Sequence, residues 1–408
     1  MNKVETLVPR LRFPEFRDAA GWESARLEDV TEFVSERIPV EEVELANYIS
    51  TENVLPDYGG VTKAAKMPST GSVTRFRPND TLVSNIRPYL KKVWFSNRGG
   101  GASNDVIVIR AKPKLVTQYF PFLLKNDSFI DYVMKGAKGV KMPRGDVSSM
   151  KEYPAFYPTH SEQQKIADCL SSVDELIAAQ ARKLDALKTH KKGLMQQIFP
   201  REGETQPCLR FPEFQDAPEW NQKALGDVAN ILMCKRIFAH ETNANEGVPF
   251  YKIGTLGGAP DAFISPELFE DYKAKYNYPR KGEVLITCSG TVGKCLPYDA
   301  RDAYFQDSNI VWIDNPTLEV SNEFLLNTLS SVNWSSLNST TITRIYGPDL
   351  RGLSIKYPEV QFEQQKIADC LTSLDDLIAA QIQKLESIRT HKKGLMQQLF
   401  PSTEDVAA

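Results

Sequence analysis

The longest regular pattern of apolar and polar positions in this chain lies in two stretches, residues 162–200 and 363–401. Apolar side chains recur there at alternating intervals of three and four, and a 3.5-residue period kept over this length predicts a coiled-coil helix of about 50 Å. A glutamine, Gln180 or Gln381, interrupts the apolar row at the same point of each helix, where a polar residue tends to fix the register. The helix seam consists of Ile166, Leu170, Val173, Ile177, Gln180, Leu184 and Leu187 in the first helix and of Ile367, Leu371, Leu374, Ile378, Gln381, Leu385 and Ile388 in the second.

These two stretches are copies of each other, with 29 of 39 aligned positions identical and no gap. A second pair of copies, the entry segments 11–30 and 209–228, begins with LRFPEF in both cases. Each half of the chain is therefore an entry segment, a variable domain and a long helix. We expect the first helix to pack against the second. Gly193 and Gly394 lie late in the helices and predict an end or a kink there.

The variable regions, 31–157 and 229–358, differ almost completely in sequence but share an order of predicted elements. Short runs of β-branched and aromatic residues predict strands, and the third strand of each region is followed by a helix that Thr117 or Ser321 is placed to cap. Both regions are therefore predicted as α+β domains that perform one task on different targets. The predicted strands are 81–86, 93–95 and 106–109 in the first region, and 283–287, a segment around 296 and 310–313 in the second.

Composition agrees with a soluble globular protein: 41% of the 408 residues are hydrophobic and 25% are charged. No apolar run approaches a membrane span, the sequence MNKVETLVPRLRF has no signal-peptide core, and the six cysteines are scattered. We therefore expect a reduced, cytoplasmic setting. The predicted domains are 1–157 with the first entry segment, 158–200 as the first helix, 201–358 with a linker and the second entry segment, and 359–408 as the second helix with a frayed tail at 402–408.

A nucleic-acid role requires a local basic surface, because the net charge is only −3. The run 75–114 carries nine Arg and Lys against two Asp, with Asn and aromatic residues among them. Such residues on loops position phosphates and contact base edges, although a solvated charged face is the other interpretation of the same run. The second variable domain has no comparable excess. The candidate DNA-contacting residues are Arg75, Arg77, Asn85, Arg87, Tyr89, Lys91, Lys92, Lys138, Lys141 and Arg144, with Lys294, Arg344 and Arg351 in the second domain.

Catalytic motifs are weak. Pro260-Asp261 followed by Asp271 and Lys273 fits the loose PD…DxK pattern of metal-dependent nucleases, but ELFEDYKAKY predicts a helix or turn where that site needs adjoining strands. The glycine loop 290–294 lacks the spacing of a Walker nucleotide site. It either lets the backbone approach a DNA phosphate or simply links two strands. No adenine-methylation motif is present, and the histidines lack neighbouring metal ligands, so we expect no metal or cofactor in this chain.

The paired entry segments LRFPEF…W…L.DV, the divergent domains and the paired helices EQQKIAD.L…THKKGLMQQ.FP together resemble the specificity subunit of a Type I restriction–modification system. The resemblance covers essentially the whole chain. It implies that each variable domain is a target-recognition domain that reads one half of a split DNA site. It also implies that the two helices lie antiparallel as a spacer between the half-sites, so that the α+β fold has an internal pseudo-twofold repeat.

The same resemblance implies the partners. The subunit is expected to be non-catalytic, to bind double-stranded DNA, and to dock two adenine methyltransferase subunits, which motor/nuclease subunits then join. S-adenosylmethionine, ATP and Mg²⁺ belong to those partners. Two other classes stay open at this point: a DNA endonuclease that uses Asp261, Asp271 and Lys273, and a scaffold that holds partners without reading DNA.

Overall fold

The structure, a computed structural model, describes residues 7–307, 309–334 and 344–401. The chain divides into two compact units, Met1–Arg182 with Gln383–Ala408, and Lys183–Ile382. Each unit therefore contains one variable domain, part of the first long helix and part of the second. The domain boundaries given above remain predictions, and the tail 402–408 lies outside the described residues.

The described part of the first unit consists of short strands and helices. Its strands are β1 (Glu23–Arg26), β2 (Thr31–Phe33), β3 (Arg37–Pro39), β4 (Tyr48–Ile49), β5 (Ser72–Phe76), β6 (Thr81–Ser84), β7 (Val93–Phe95), β8 (Gly100–Ala102), β9 (Val106–Ala111) and β10 (Pro154–Tyr157). Its helices are α1 (Leu27–Val30), α2 (Phe120–Leu124), α3 (Asp127–Lys135), α4 (Val147–Lys151) and, as far as Arg182, the first long helix, α5 (His160–Ile198). The strands form an antiparallel sheet of order β2-β9-β6-β7, a second sheet of order β3-β5-β8-β4 and the pair β1-β10.

The second unit repeats this plan. Its strands are β11 (Asn221–Ala224), β12 (Asn230–Leu232), β13 (Thr242–Asn243), β14 (Val248–Tyr251), β15 (Phe263–Ile264), β16 (Val284–Thr287), β17 (Cys295–Pro297), β18 (Tyr304–Phe305), β19 (Ile310–Asp314) and β20 (Ser354–Tyr357). Its helices are α6 (Leu225–Val228), α7 (Pro266–Lys275), α8 (Asn322–Ser331), α9 (Gly347–Arg351) and, as far as Ile382, the second long helix, α10 (Gln361–Leu399). The sheet orders are β12-β19-β16-β17, β13-β15-β14-β18 and β11-β20.

The central strand of each main sheet separates two hydrophobic cores. In β6, Val83 joins the core that contains Trp22, whereas Leu82 joins the core on the opposite face. In β16, Ile286 and Leu285 divide in the same way between two cores of the second unit. Successive side chains of a strand point to opposite faces, which explains why both strands are apolar throughout. All six predicted strands are present, although β6 ends at Ser84, two residues before its predicted end.

The two long helices run antiparallel within each unit. In the first unit, the Lys392 ammonium lies 2.6 Å from the Asp174 carboxylate, and in the second the Lys191 ammonium lies 2.6 Å from Asp375. All the seam positions named from the sequence are buried or half-buried, and Gln381 is only 6% exposed. The α+β fold with two long antiparallel helices and an internal repeat is therefore confirmed. Both helices continue through Gly193 and Gly394, so neither glycine ends its helix.

Each entry segment is fixed to a long helix by a buried ion pair. The Arg12 guanidinium donates two hydrogen bonds to the Glu162 carboxylate, at 2.8 and 2.7 Å, and the two side chains are 5% and 1% exposed. Arg210 and Glu363 repeat this arrangement in the second unit, at 2.7 Å for both bonds. The same carboxylate raises the pKa of Arg12 through its hydrogen bonds. The copied LRFPEF and EQQ sequences therefore meet in space.

The glutamine after each of these glutamates connects the helix to its domain. The Gln163 side chain accepts from the Val116 amide at 2.7 Å and donates to the Pro158 carbonyl at 2.9 Å. Gln364 does the same with Ser321 and Pro358. Each buried side-chain amide therefore has both a donor and an acceptor satisfied, and it joins the start of the long helix to the domain.

One predicted cap is confirmed and one is wrong. The Ser321 hydroxyl accepts the Phe324 amide at the start of α8, as predicted. Thr117 does not cap α2, because the backbone carbonyl of Val116 accepts the amides of both Tyr119 and Phe120 and closes the turn without a side chain.

Candidate DNA-contacting surfaces

Three loops of the first unit meet beyond the end of β6. The Asn85 amide donates to the Asp105 carbonyl at 2.8 Å, and the Gly145 amide donates to the Asn85 carbonyl at 3.0 Å. The Arg87 amide donates to the Pro143 carbonyl at 2.8 Å. These backbone bonds join the loop after β6, the loop before β9 and the loop between α3 and α4 into one surface.

The second unit has the same frame despite its different sequence. The Cys288 amide donates to the Asn309 carbonyl at 2.7 Å, and the Ile345 amide donates to the Cys288 carbonyl at 2.9 Å. An arginine precedes this junction in both units, since Arg144 forms a β-bridge with Ile86 and Arg344 forms one with Ser289. The two arginines were candidates separately, but only the fold reveals that they are equivalent.

In the first unit the loop after α3 forms a narrow finger, residues 138–144. Reciprocal backbone hydrogen bonds of 2.9 Å between Lys138 and Arg144 close its base. The Arg144 guanidinium is paired with Asp105. Lys138 and Lys141 are exposed and have no acidic partner in the described ranges. The finger therefore presents cations on a fixed backbone.

Arg87 lies beside the finger, to which its amide is bonded at Pro143, and Tyr89 follows two residues later. Arg87 adopts a left-handed backbone conformation with φ 51°, and its side chain is exposed. Tyr89 is 47% exposed. The structure thus brings five of the candidate residues into one exposed group, which we name the first loop surface: Arg87, Tyr89, Lys138, Lys141 and Arg144. Cations with an exposed aromatic ring on loops suit contact with phosphates and bases.

Asn85 is buried, unlike the five residues of that surface, and a DNA contact by its side chain stays a prediction. Its side chain is 4% exposed and packs against Gly145, where a β-carbon would lie 2.8 Å from the Asn85 Oδ1. The backbone of Asn85, through its bonds to Asp105 and Gly145, joins the loops on which that surface lies.

Lys91 and Lys92 are also held within the protein. The Lys91 ammonium lies 2.5 Å from the Asp127 carboxylate, and the Lys92 ammonium donates to the Thr51 carbonyl at 2.6 Å. Burial, and then the nearby Arg87, lowers the pKa of Lys92. Both ammonium groups therefore have partners within the protein, and their contact with DNA stays a prediction.

Arg75 and Arg77 form a separate pair with one acid. Both guanidinium groups contact Glu36, at 3.1 and 3.0 Å; the two arginine side chains are exposed and Glu36 is half-buried. Arg110, from the same run, is paired with the buried Asp80 at 2.7 Å. The basic run 75–114 is therefore divided among different faces by its acidic neighbours.

The glycine loop of the second unit links two strands. Gly290 and Gly293 have φ values of +66° and +78° in the hairpin between β16 and β17, and a β-carbon at Gly293 would lie 2.0 Å from Trp334. The Lys294 ammonium donates to the Leu256 carbonyl. Of the two interpretations of this loop, the strand-linking turn accounts for its glycines. Arg351, at the end of α9, is exposed.

The nuclease-like residues are not arranged for metal binding. Asp271 and Lys273 lie on helix α7, and each of them, like Asp261, is paired with a different neighbour: Lys275, Asp302 and Lys252 respectively. Across 7–307, 309–334 and 344–401, no three His, Cys, Asp or Glu are placed to hold a metal ion. The nuclease alternative therefore receives no support. Among the same residues, no helix is both long and apolar enough to span a membrane.

Comparison with known proteins identifies the family. The sequence matches the family described as Type I restriction modification DNA specificity domain twice, over residues 20–189 and 218–389. A Haemophilus influenzae protein named as a candidate type I restriction enzyme specificity subunit, S.HindORF215P, is 35% identical over 276 residues, 68% of this chain and 69% of the relative. The MjaVIII specificity subunit of Methanocaldococcus jannaschii is 26% identical over 416 residues, 96% of this chain and 93% of the relative.

Solved structures share the fold. The S subunit of a Type I system from M. genitalium superposes with a TM-score of 0.61 at 15% identity, covering 97% of this chain and all of the other. A chain from a study of complex assembly and conformational transition in the type I R-M system has a TM-score of 0.59 at 19% identity, covering 93% and 98%. The fold is therefore that of a duplicated specificity subunit. The chain belongs to the Type I restriction–modification specificity subunits.

Proposed function

We propose that this chain is the non-catalytic, DNA-reading subunit of its complex and that each unit reads one half of a bipartite target. The observation that carries the proposal is the loop frame present in both units, with Arg144 and Arg344 at equivalent positions. The frame is the same while the side chains on it differ, which suits two readers that share a scaffold and recognise different bases.

The long helices supply the second part of the proposal, the spacing of the half-sites and the docking of two adenine methyltransferase subunits. At 1.5 Å per residue, a 39-residue helix is about 58 Å long, which exceeds one duplex turn of ~34–36 Å. Motor/nuclease subunits complete the complex, and S-adenosylmethionine, ATP and Mg²⁺ are used by the partners. The relatives named above as specificity subunits support this division of labour.

The experiment is a map of methylated adenines in cells that express this chain with its methyltransferase subunits. Replacing residues 31–157 with the corresponding domain of a relative is expected to change one half-site and leave the other unchanged. Matched insertions near Gln180 and Gln381 are expected to lengthen the nonspecific stretch of DNA between the half-sites and to leave both half-site sequences unchanged. The purified chain alone is expected to be inactive; methylation or cleavage by it would contradict the proposal.

The first loop surface allows a residue-level test. Lys141→Ala is expected to weaken binding to all sequences and to reduce the salt slope of log K by roughly one unit, because one phosphate contact is lost. Lys91→Ala is the matched control, since Asp127 already occupies that ammonium, and its slope should match the parent. Arg87→Ala is expected to reduce the binding free energy by about 1–3 kcal/mol and to relax the base preference at one position of the first half-site. If the Lys141 and Lys91 variants have equal affinities and equal salt slopes, the first loop surface does not contact DNA.

A further inference from the structure

We propose that Val140 and Met142, at the tip of the finger, are specificity-determining residues that contact thymine methyl groups in the major groove of the first half-site. This inference rests on the proposed function and extends it from phosphate contact to base recognition. Neither residue was among the candidates from the sequence, because apolar residues in a loop carry no signal of DNA contact by themselves.

The exposure of the two side chains is the first observation. Val140 is 102% exposed and Met142 is 57% exposed. They alternate along the finger with Lys141 and are flanked by Lys138 and Arg144. When the flanking cations bind phosphates, the two apolar side chains at the tip lie close to the DNA.

The rigidity of the finger is the second observation. Gly136 ends α3, and a β-carbon there would lie 2.8 Å from the Ser149 Oγ. A β-carbon at Gly145 would lie 2.5 Å from the Met150 Cε, so the other end is equally tightly packed. Gly139 adopts φ +94° at the turn. With its ends fixed between α3 and α4 and its base closed by two backbone bonds, the finger holds its tip outward.

The shape of the finger favours the major groove. The finger is a short loop closed by one antiparallel bridge between Lys138 and Arg144. The major groove, about 12 Å wide, offers more room for such a loop than the minor groove, which is about 6 Å wide. In the major groove the one apolar group on a base edge is the thymine methyl. A half-site that is methylated on adenine contains at least one A·T pair and therefore at least one such methyl group.

The test uses the complex of this chain with its methyltransferase subunits, bound to target DNA in which each thymine of the first half-site is replaced in turn by uracil. At one position, removing the methyl group is expected to weaken binding of the parent about fourfold, the effect of one buried methyl-sized group. Met142→Ala or Val140→Ala should weaken binding to the thymine target by a similar factor, and the variant should then bind thymine and uracil targets equally. The salt slope should stay at the parental value.

Two controls separate the possible failures. Met233→Ala removes an exposed methionine of the second unit, 49% exposed, and should keep the full uracil effect. Lys141→Ala should lower the salt slope and keep the uracil effect. If neither tip variant alters the uracil effect, or if uracil has no effect on the parent, the inference is wrong even though sequence-specific binding persists. If the parent complex shows no sequence preference at all, the proposed function fails instead.

Discussion

Breaking the ion pair between Arg12 and Glu162 is expected to destabilise the first unit and leave the second intact. Arg12 is buried, and its guanidinium also donates to the carbonyls of Ala19 and Ala20 at 2.8 and 2.9 Å. Arg12→Ala therefore leaves a carboxylate buried without a partner and two carbonyls without their donor.

The magnitude follows from this geometry. Removing one partner of a buried ion pair costs about 3–5 kcal/mol, because the remaining charge stays desolvated. Glu15 and Lys165 join the same entry segment to the same helix at 3.1 Å, but both are about half exposed. Glu15→Gln should destabilise the unit far less than Arg12→Ala, since solvent screens an exposed pair. It is therefore the matched control.

Hydrogen exchange measured by mass spectrometry is the suitable assay, because it reports on each unit separately in a chain whose unfolding need not be two-state. A cost of 3 kcal/mol corresponds to roughly a hundredfold faster exchange in the most protected amides. This acceleration should appear in the first unit for Arg12→Ala and in the second unit for Arg210→Ala. If Arg12→Ala and Glu15→Gln accelerate exchange equally, the buried pair does not hold the entry segment and the reasoning is refuted.

Two further predictions follow from backbone geometry and thiol burial. Gly193→Ala should stabilise the chain by about 1 kcal/mol, because this helical glycine has no atom within 4 Å of a new β-carbon. Gly293→Ala should destabilise the second unit, because Gly293 has a positive φ and its β-carbon would clash with Trp334. Thermal melts measure both variants, and melting temperatures that shift in the same direction would contradict this prediction. Burial raises the pKa of Cys234 to about 12, so this thiol stays protonated at pH 8 and should resist iodoacetamide, while the exposed Cys208 reacts. Mass spectrometry of the labelled peptides measures both reactions. Labelling of Cys234 as early as Cys208 would contradict the prediction.

Local patterns in the chain were sufficient to predict the helices and the repeat. The seam from Ile166 to Leu187 depends on a period of 3.5 residues, and the copied segments can be compared letter by letter without knowledge of contacts. The strands 106–109 and 310–313 could be predicted equally well, because a short apolar run bounded by turn residues is typical of a strand. Charge on the loops was harder to interpret, since sequence spacing does not reveal which acidic side chain pairs with which basic side chain.

The sequence by itself therefore determined the α+β class, the duplication, the seam of the long helices and the family resemblance. Only the tertiary structure decided which candidates share a surface. It buried the side chain of Asn85, paired Lys91 with Asp127, and placed Arg12 against a glutamate 150 residues away. The physical reason is the range of the interactions: helix and strand periods arise between near neighbours, whereas burial and ion pairing depend on segments that are distant in the chain and meet only when it folds.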